Sequence, residues 1–104
     1  MHLTSYLQDG KLTIALKGEI DHHCAKAYIQ AITGKIEAYA PKMCILDFHE
    51  VTFMDSSGIA VIIHTLRIMN YLHGELRMCS IGTQPMKVLR ASGIEKLVPI
   101  LEAL

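Results

Sequence analysis

Between Lys11 and Lys17 the chain alternates. Leu12, Ile14 and Leu16 are interleaved with Lys11, Thr13 and Lys17. That period of two predicts a strand with one wet face. Leu3–Leu7 predicts a shorter strand before it. Asp9-Gly10 between them is a favoured hairpin turn, since both residues tolerate positive φ. The period then changes. Ala25, Tyr28, Ile29, Ile32, Ile36 and Tyr39 recur at spacings of three and four, the mark of an amphipathic helix. Asp21 is placed to cap that helix at its N-terminus. Gly34 weakens it by about 1 kcal/mol relative to alanine, and Pro41 marks its end.

Met43–Phe48 (MCILDF) is almost continuously apolar and is bounded by Pro41 and by His49-Glu50. This suits a central strand covered on part of both faces. Ile59, Ile62, Ile63, Leu66 and Met69 share one face of a second helix, and Gly74 stands where a left-handed C-terminal residue would help. Leu76–Ile81 predicts another strand. Gln84-Pro85 opens a third helix carrying Met86, Leu89 and Arg90, with Ser92-Gly93 as its stop. Leu97–Ile100 predicts a short last strand, and the final four residues leave room for no more than a helical turn. Strand–helix–strand units imply parallel neighbours, and the opening hairpin adds an antiparallel pair. The expected fold is therefore α/β, a mixed sheet packed by helices.

Composition narrows the function. A chain of 104 residues, 51% hydrophobic and 19% charged, can bury one core, so one domain over 1–104 is expected. The formal net charge is zero and Lys and Arg form no run, which argues against nucleic acid as the main partner. MHLTSYLQDG lacks the layout of a signal peptide, and the apolar run Ile59–Ile63 is far too short to span a bilayer. Neither a membrane nor a cofactor is expected. Cys24, Cys44 and Cys79 are odd in number and widely spaced, as for reduced thiols in a cytoplasm. Cys44 and Cys79 lie in apolar segments and read as buried packing residues.

Asp55-Ser56-Ser57-Gly58 interrupts the apolar pattern between a central strand and a helix. A helix start there offers unpaired amides and the positive end of the macrodipole, which favour an anion or a phosphate. On residue types alone a capped helix, with a glycine for close approach, explains the same letters. A phosphate on a serine would add about −1.5 to −2 charges, tolerable to the helix end but not to an acidic or apolar partner surface.

Other constellations fail on spacing. His22-His23-Cys24 does not present metal ligands on one helix face, which needs intervals of three or four. For Ser56 as a nucleophile, Met54 occupies the first glycine position of the Gly-x-Ser-x-Gly elbow, and nothing brings His49 or His64 to a serine. Thr33-Gly34-Lys35-Ile36 lacks the earlier glycine and the hydroxyl after lysine of a phosphate loop. No catalytic residue is expected.

The segment FMDSSGIAVIIHTLRIM, preceded by LDFHEV, strongly resembles the STAS domain of bacterial anti-sigma factor antagonists. The resemblance extends to GEIDHH, GELRMCSI and VLRASGIEKLVPI, nearly the whole chain in the right order. The Asp-His-His element is most similar to the antagonist used in endospore formation. The resemblance implies a mixed sheet of four to five strands, with an N-terminal hairpin and helices packed mainly on one side. It implies a partner switch. The unphosphorylated protein binds an anti-sigma factor that is also a serine kinase, and so releases a sigma factor. Phosphorylation of the first serine after the aspartate ends the binding, and a serine phosphatase resets it. By position that serine is Ser56, with Asp55, Ser57 and Gly58 completing the docking turn and Gly18 and Asp21 adding to the kinase-facing surface. Similar domains also serve as unswitched binding modules in transporters and signalling complexes. Family members usually continue into a longer C-terminal helix, whereas this sequence ends at Leu104. Apolar sheet surface left uncovered there would give room for self-association.

Overall fold

The computed structural model describes residues 2–102. The elements run β1 (His2–Gln8), β2 (Lys11–Ile20), α1 (Ala25–Tyr39), β3 (Met43–Met54), α2 (Ser56–Tyr71), β4 (Glu75–Cys79), α3 (Thr83–Ser92), a 3-10 turn over Ile94–Lys96, and β5 (Ile100–Leu101). Each expected strand and helix is present, most with moved ends. Among the described residues the sheet has five strands in the order β1-β2-β3-β4-β5. β1 pairs antiparallel with β2, and every later pairing is parallel.

The hairpin forms as its letters predict. Asp9 and Gly10 both have positive φ, 52° and 77°, which gives the turn the twist of its flanking strands. The three crossovers through α1, α2 and α3 all step the same way across the sheet. With the right-handed connection that such units adopt, they bring the helices to one face. There Leu12, Ile14, Leu16, Cys44, Leu46 and Phe48 meet Ile32, Ile36, Val61, Ile62, Met69 and Leu89 in one buried cluster. Thr13, Ile45, Asp47 and Cys79 are also buried but lie outside that cluster, on the alternate positions of the same strands.

Several expectations are corrected. Asp21 does not cap α1. The N-cap is Cys24, already helical at φ −114° and ψ −6° and without a side-chain cap bond. Asp21 instead closes a turn ahead of the helix, its Oδ1 accepting from His23 N–H at 3.0 Å and its carbonyl from Cys24 and Ala25 N–H. β3 runs six residues past Phe48, because Val51 and Met54 still point into the protein while His49, Glu50, Thr52 and Phe53 face out. Gly74 is not the left-handed residue after α2. His73 is, at φ 59°. A Cβ on Gly74 would lie 2.5 Å from Met69 Cε and 3.0 Å from the Lys42 carbonyl, so close approach is what the glycine serves. β4 stops at Cys79 rather than Ile81. The turn over Ile94–Lys96 shifts the last strand to Ile100–Leu101. The expected terminal turn falls partly on that strand, and its last two residues lie outside the described part.

Candidate functional site

The carboxyl ends of β2 and β3 lie side by side, with Ile20 opposite Met54. Outside the carboxyl ends of parallel strands is where open α/β sheets place their sites. Asp21 follows the first strand and Asp55 the second, both half-buried. The Asp55 N–H donates to the Ile20 carbonyl at 3.2 Å, tying the two ends together. Of the residues singled out in the sequence, Asp21, Asp55, Ser56 and Ser57 gather at this edge.

Asp55 is the N-cap of α2, with extended backbone at φ −110° and ψ −168°. Its carboxylate accepts from Ser57 N–H at 2.8 Å, and its carbonyl accepts from Gly58 N–H at 3.0 Å. One carboxylate oxygen thus satisfies one of the amides that a helix start leaves open. Ser56, the first residue of the helix, is exposed, and Ser57 is half-buried. The two serines are therefore not equivalent, and the exposed one carries its hydroxyl at the positive end of a helix of 16 residues.

Gly58 is buried beneath the turn. A Cβ there would sit 2.2 Å from Met54 Cγ and 2.5 Å from Met54 Sδ. Met54 is itself fully buried. The glycine lets α2 start flush against the strand ends, and this is a packing role inside the turn. Gly18 is set further back, opposite Val51, where β2 changes register against β3. Its φ is +84° and nothing lies within 4 Å of a Cβ added to it, so conformation rather than space selects glycine. The Tyr28 hydroxyl on α1 donates to the carbonyl of neighbouring Lys17 and anchors this stretch of β2, opposite the bulges of β3.

Partial burial pushes the Asp21 carboxyl up. Hydrogen bonds from the Cys24 thiol and from the His23 and Cys24 amides, with His23 nearby, outweigh it and hold the carboxyl below its ordinary value. The Cys24 thiol donates to the Glu19 carbonyl at 3.0 Å, and burial raises it above its ordinary value, away from thiolate reactivity. Cys44 is buried and pushed up to about 12. His22 and His23 are exposed with ring centroids 3.9 Å apart, and among the described residues no group of three or more His, Cys, Asp or Glu is placed to hold a metal. His49 Nδ1 lies 2.9 Å from Asp47 Oδ2, and its Nε2 lies 3.4 Å from Glu50. His64 lines a groove with Thr33, Glu37 and Arg67, about 12 Å along α2 from its start. Thr33-Gly34-Lys35-Ile36 lies inside α1.

Two features escaped the sequence reading. Phe53 is 40% exposed beside the turn and pairs with exposed Glu19, adding an apolar ring to an acidic rim. Gln84, half-buried on α3, hydrogen-bonds the backbone of Met54. No periodicity marks either residue.

Over residues 2–104 the chain matches the STAS domain family. A relative from Paenibacillus polymyxa, named anti-sigma F factor antagonist, is 30% identical over 93 residues, 89% of this chain and 80% of that one. Among solved structures, the fold is similar to the anti-sigma factor antagonist SpoIIAA in its unphosphorylated form. The TM-score there is 0.81 and the identity 24%, over 97% of this chain and 89% of that one. SpoIIAA of Bacillus in its phosphorylated form gives a TM-score of 0.72 at 24% identity, over 97% and 92% of the two chains. The STAS domain of a SulP transporter from Vibrio cholerae gives 0.71 at 22% identity, over 95% and 78%.

Proposed function

The chain belongs to the STAS-domain family, and we propose that within it the protein is an anti-sigma factor antagonist switched by phosphorylation of Ser56. Unphosphorylated, it binds an anti-sigma factor that is also a serine kinase, and a sigma factor is released. In the kinase complex the γ-phosphoryl group of ATP passes to Ser56 Oγ, ADP leaves, and the hydroxyl proton goes to a base of the kinase. A serine phosphatase returns the protein to its binding form. It works in the cytoplasm, as a binding protein rather than an enzyme.

The placement of Ser56 carries this reading. It is exposed, it opens α2, and Asp55 beside it already caps Ser57. A phosphate on Ser56 meets the favourable end of the helix, so the fold accepts it. It also adds about −1.5 to −2 charges beside two half-buried carboxylates, Asp21 and Asp55, and changes the face offered to the partner. Support comes from the relative named as an anti-sigma F factor antagonist and from the likeness to SpoIIAA, which has been solved in both phosphorylation states. Asp21, Asp55 and Ser57 form the partner-facing edge, with Gly58 and Gly18 shaping it from beneath and behind.

Incubation with the cognate kinase and ATP, followed by peptide mass spectrometry, tests the site. One phosphate is expected on Ser56, lost in Ser56→Ala and kept in Ser57→Ala. Equal labelling of Ser56→Ala would overturn the assignment. The likeness to a transporter STAS domain favours a second reading, an unswitched binding module in which Asp55 and Ser56 only start the helix. Transporter genes beside this one, and no labelling by any neighbouring kinase, would favour that reading.

A further inference from the structure

β4 pairs with β3 only over Met43–Asp47. The rest of β3, from His49 to Met54, has β2 on one side and, among the described residues, no strand on the other. Along a parallel strand, successive residues turn their N–H and C=O to opposite neighbours. Asp55 turns its N–H toward β2 and donates to Ile20. Met54, one residue earlier, turns the other way. Its N–H donates to Gln84 Oε1 at 2.8 Å, and its carbonyl accepts from Gln84 Nε2 at 2.8 Å. The side-chain amide presents the acceptor and donor of a peptide unit, standing where a neighbouring strand would.

We propose that Gln84 is the positioning residue of the Ser56 turn, a role that rests on the switch reading above. Met54 is the last residue before Asp55, and its side chain fills the space directly under Gly58. Any slip of Met54 therefore moves both the cap and the helix start. With Ile20 holding Asp55 from one side and Gln84 holding Met54 from the other, the backbone entering the turn is fixed across both edges. Ser56 is then offered to a kinase at a set height and direction. Gln84 acts through this backbone and does not itself touch the phosphate.

The test uses the full ¹⁵N-labelled chain with Gln84→Met, which keeps length without the amide, and Gln84→Glu. In Gln84→Met the Met54 amide should exchange at least about tenfold faster, the scale of one lost hydrogen bond. The amide shifts of Asp55–Gly58 should move, while the Cys44 and Leu46 amides stay protected. In Gln84→Glu the carboxylate accepts from Met54 N–H but cannot donate to its carbonyl. Protonated, a carboxyl offers one donor and one acceptor. Compared with the wild-type chain at each pH, so that the titration of Asp21 and Asp55 is common to both, the shifts of the turn should therefore converge on the wild-type ones as pH falls through the carboxyl range. With the cognate kinase and ATP, Gln84→Met should lose about tenfold or more in kcat/KM, since small misplacements of a reacting group are costly. Unchanged Met54 exchange, or an unchanged turn, overturns the proposal. So does a loosened turn that is phosphorylated at the wild-type rate. If the wild-type chain takes no phosphate, the switch reading fails, and the amide measurements alone decide the clamp. If Gln84→Met does not fold, the pH dependence of Gln84→Glu decides it.

Discussion

Two helices start beside each other at the carboxyl ends of neighbouring strands, and they start differently. Between β2 and α1 the chain makes a turn over Asp21–Cys24, with exposed His22 and His23 at its tip. No side chain caps the helix there, and Asp21 serves the turn instead. Between β3 and α2 a single residue, Asp55, ends the strand and caps the helix. A buried glycine beneath it and Gln84 behind it leave the backbone little freedom. The α2 start is thus held by hydrogen bonds and packing where the α1 start is a spaced turn. A residue presented for chemical modification belongs on the more constrained start, because a partner enzyme must find its hydroxyl in one place.

The contrast can be broken hardest at Gly58. Gly58→Ala forces a Cβ against fully buried Met54 and should cost about 1–3 kcal/mol, measured by urea unfolding. A wild-type midpoint would mean that α2 does not start flush against β3. Asp55→Ala removes the cap bond to Ser57 and should cost about 1 kcal/mol. Asp21→Ala, which leaves α1 with the same uncapped start, should cost less in the same assay. Equal losses would erase the distinction between the two helix starts.

Gly34 sharpens the comparison with the opposite sign. It lies exposed in the interior of α1 with nothing within 4 Å of an added Cβ. Gly34→Ala should therefore raise stability by about 0.5–1 kcal/mol, read as a higher thermal midpoint. The smallest expected effect is the pH response of Asp21. Its folded carboxyl is held below the ordinary 3.8. The sign follows from linkage: its contribution is present above that value and fades as pH falls through the lower folded one. An NMR titration should place the Asp21 midpoint below 3.8, and a midpoint above it would contradict the turn geometry.

Legibility followed locality. The hairpin, the helix faces and a capped helix start within Asp55–Gly58 are legible because their signals lie within a few residues of one another. That Asp55 rather than a serine is the cap is seen only in the structure. The second half of β3 is not legible. β3 carries extra residues against β2 near His49 and Thr52, and these bulges break the period of two that marks a strand. The sequence marks Gly74 as a left-handed residue after α2, but what the glycine serves is close approach to Met69 and to the Lys42 carbonyl far back in the chain. Gln84 was invisible for the same reason, since its partner stands 30 residues away. Asp21 closes a turn where the sequence predicts a cap, because a turn and a cap draw on the same residue types.

In the proposed function, Ser56 on its capped helix start switches partner docking. Isothermal titration of the cognate anti-sigma factor kinase with the chain, unmodified and stoichiometrically phosphorylated on Ser56, tests it most directly. Binding of the unmodified chain, and at least about tenfold weaker binding of the phosphorylated one, is the predicted result, a loss of about 1.4 kcal/mol or more. Equal affinities of the two forms would mean that Ser56 is not the switch.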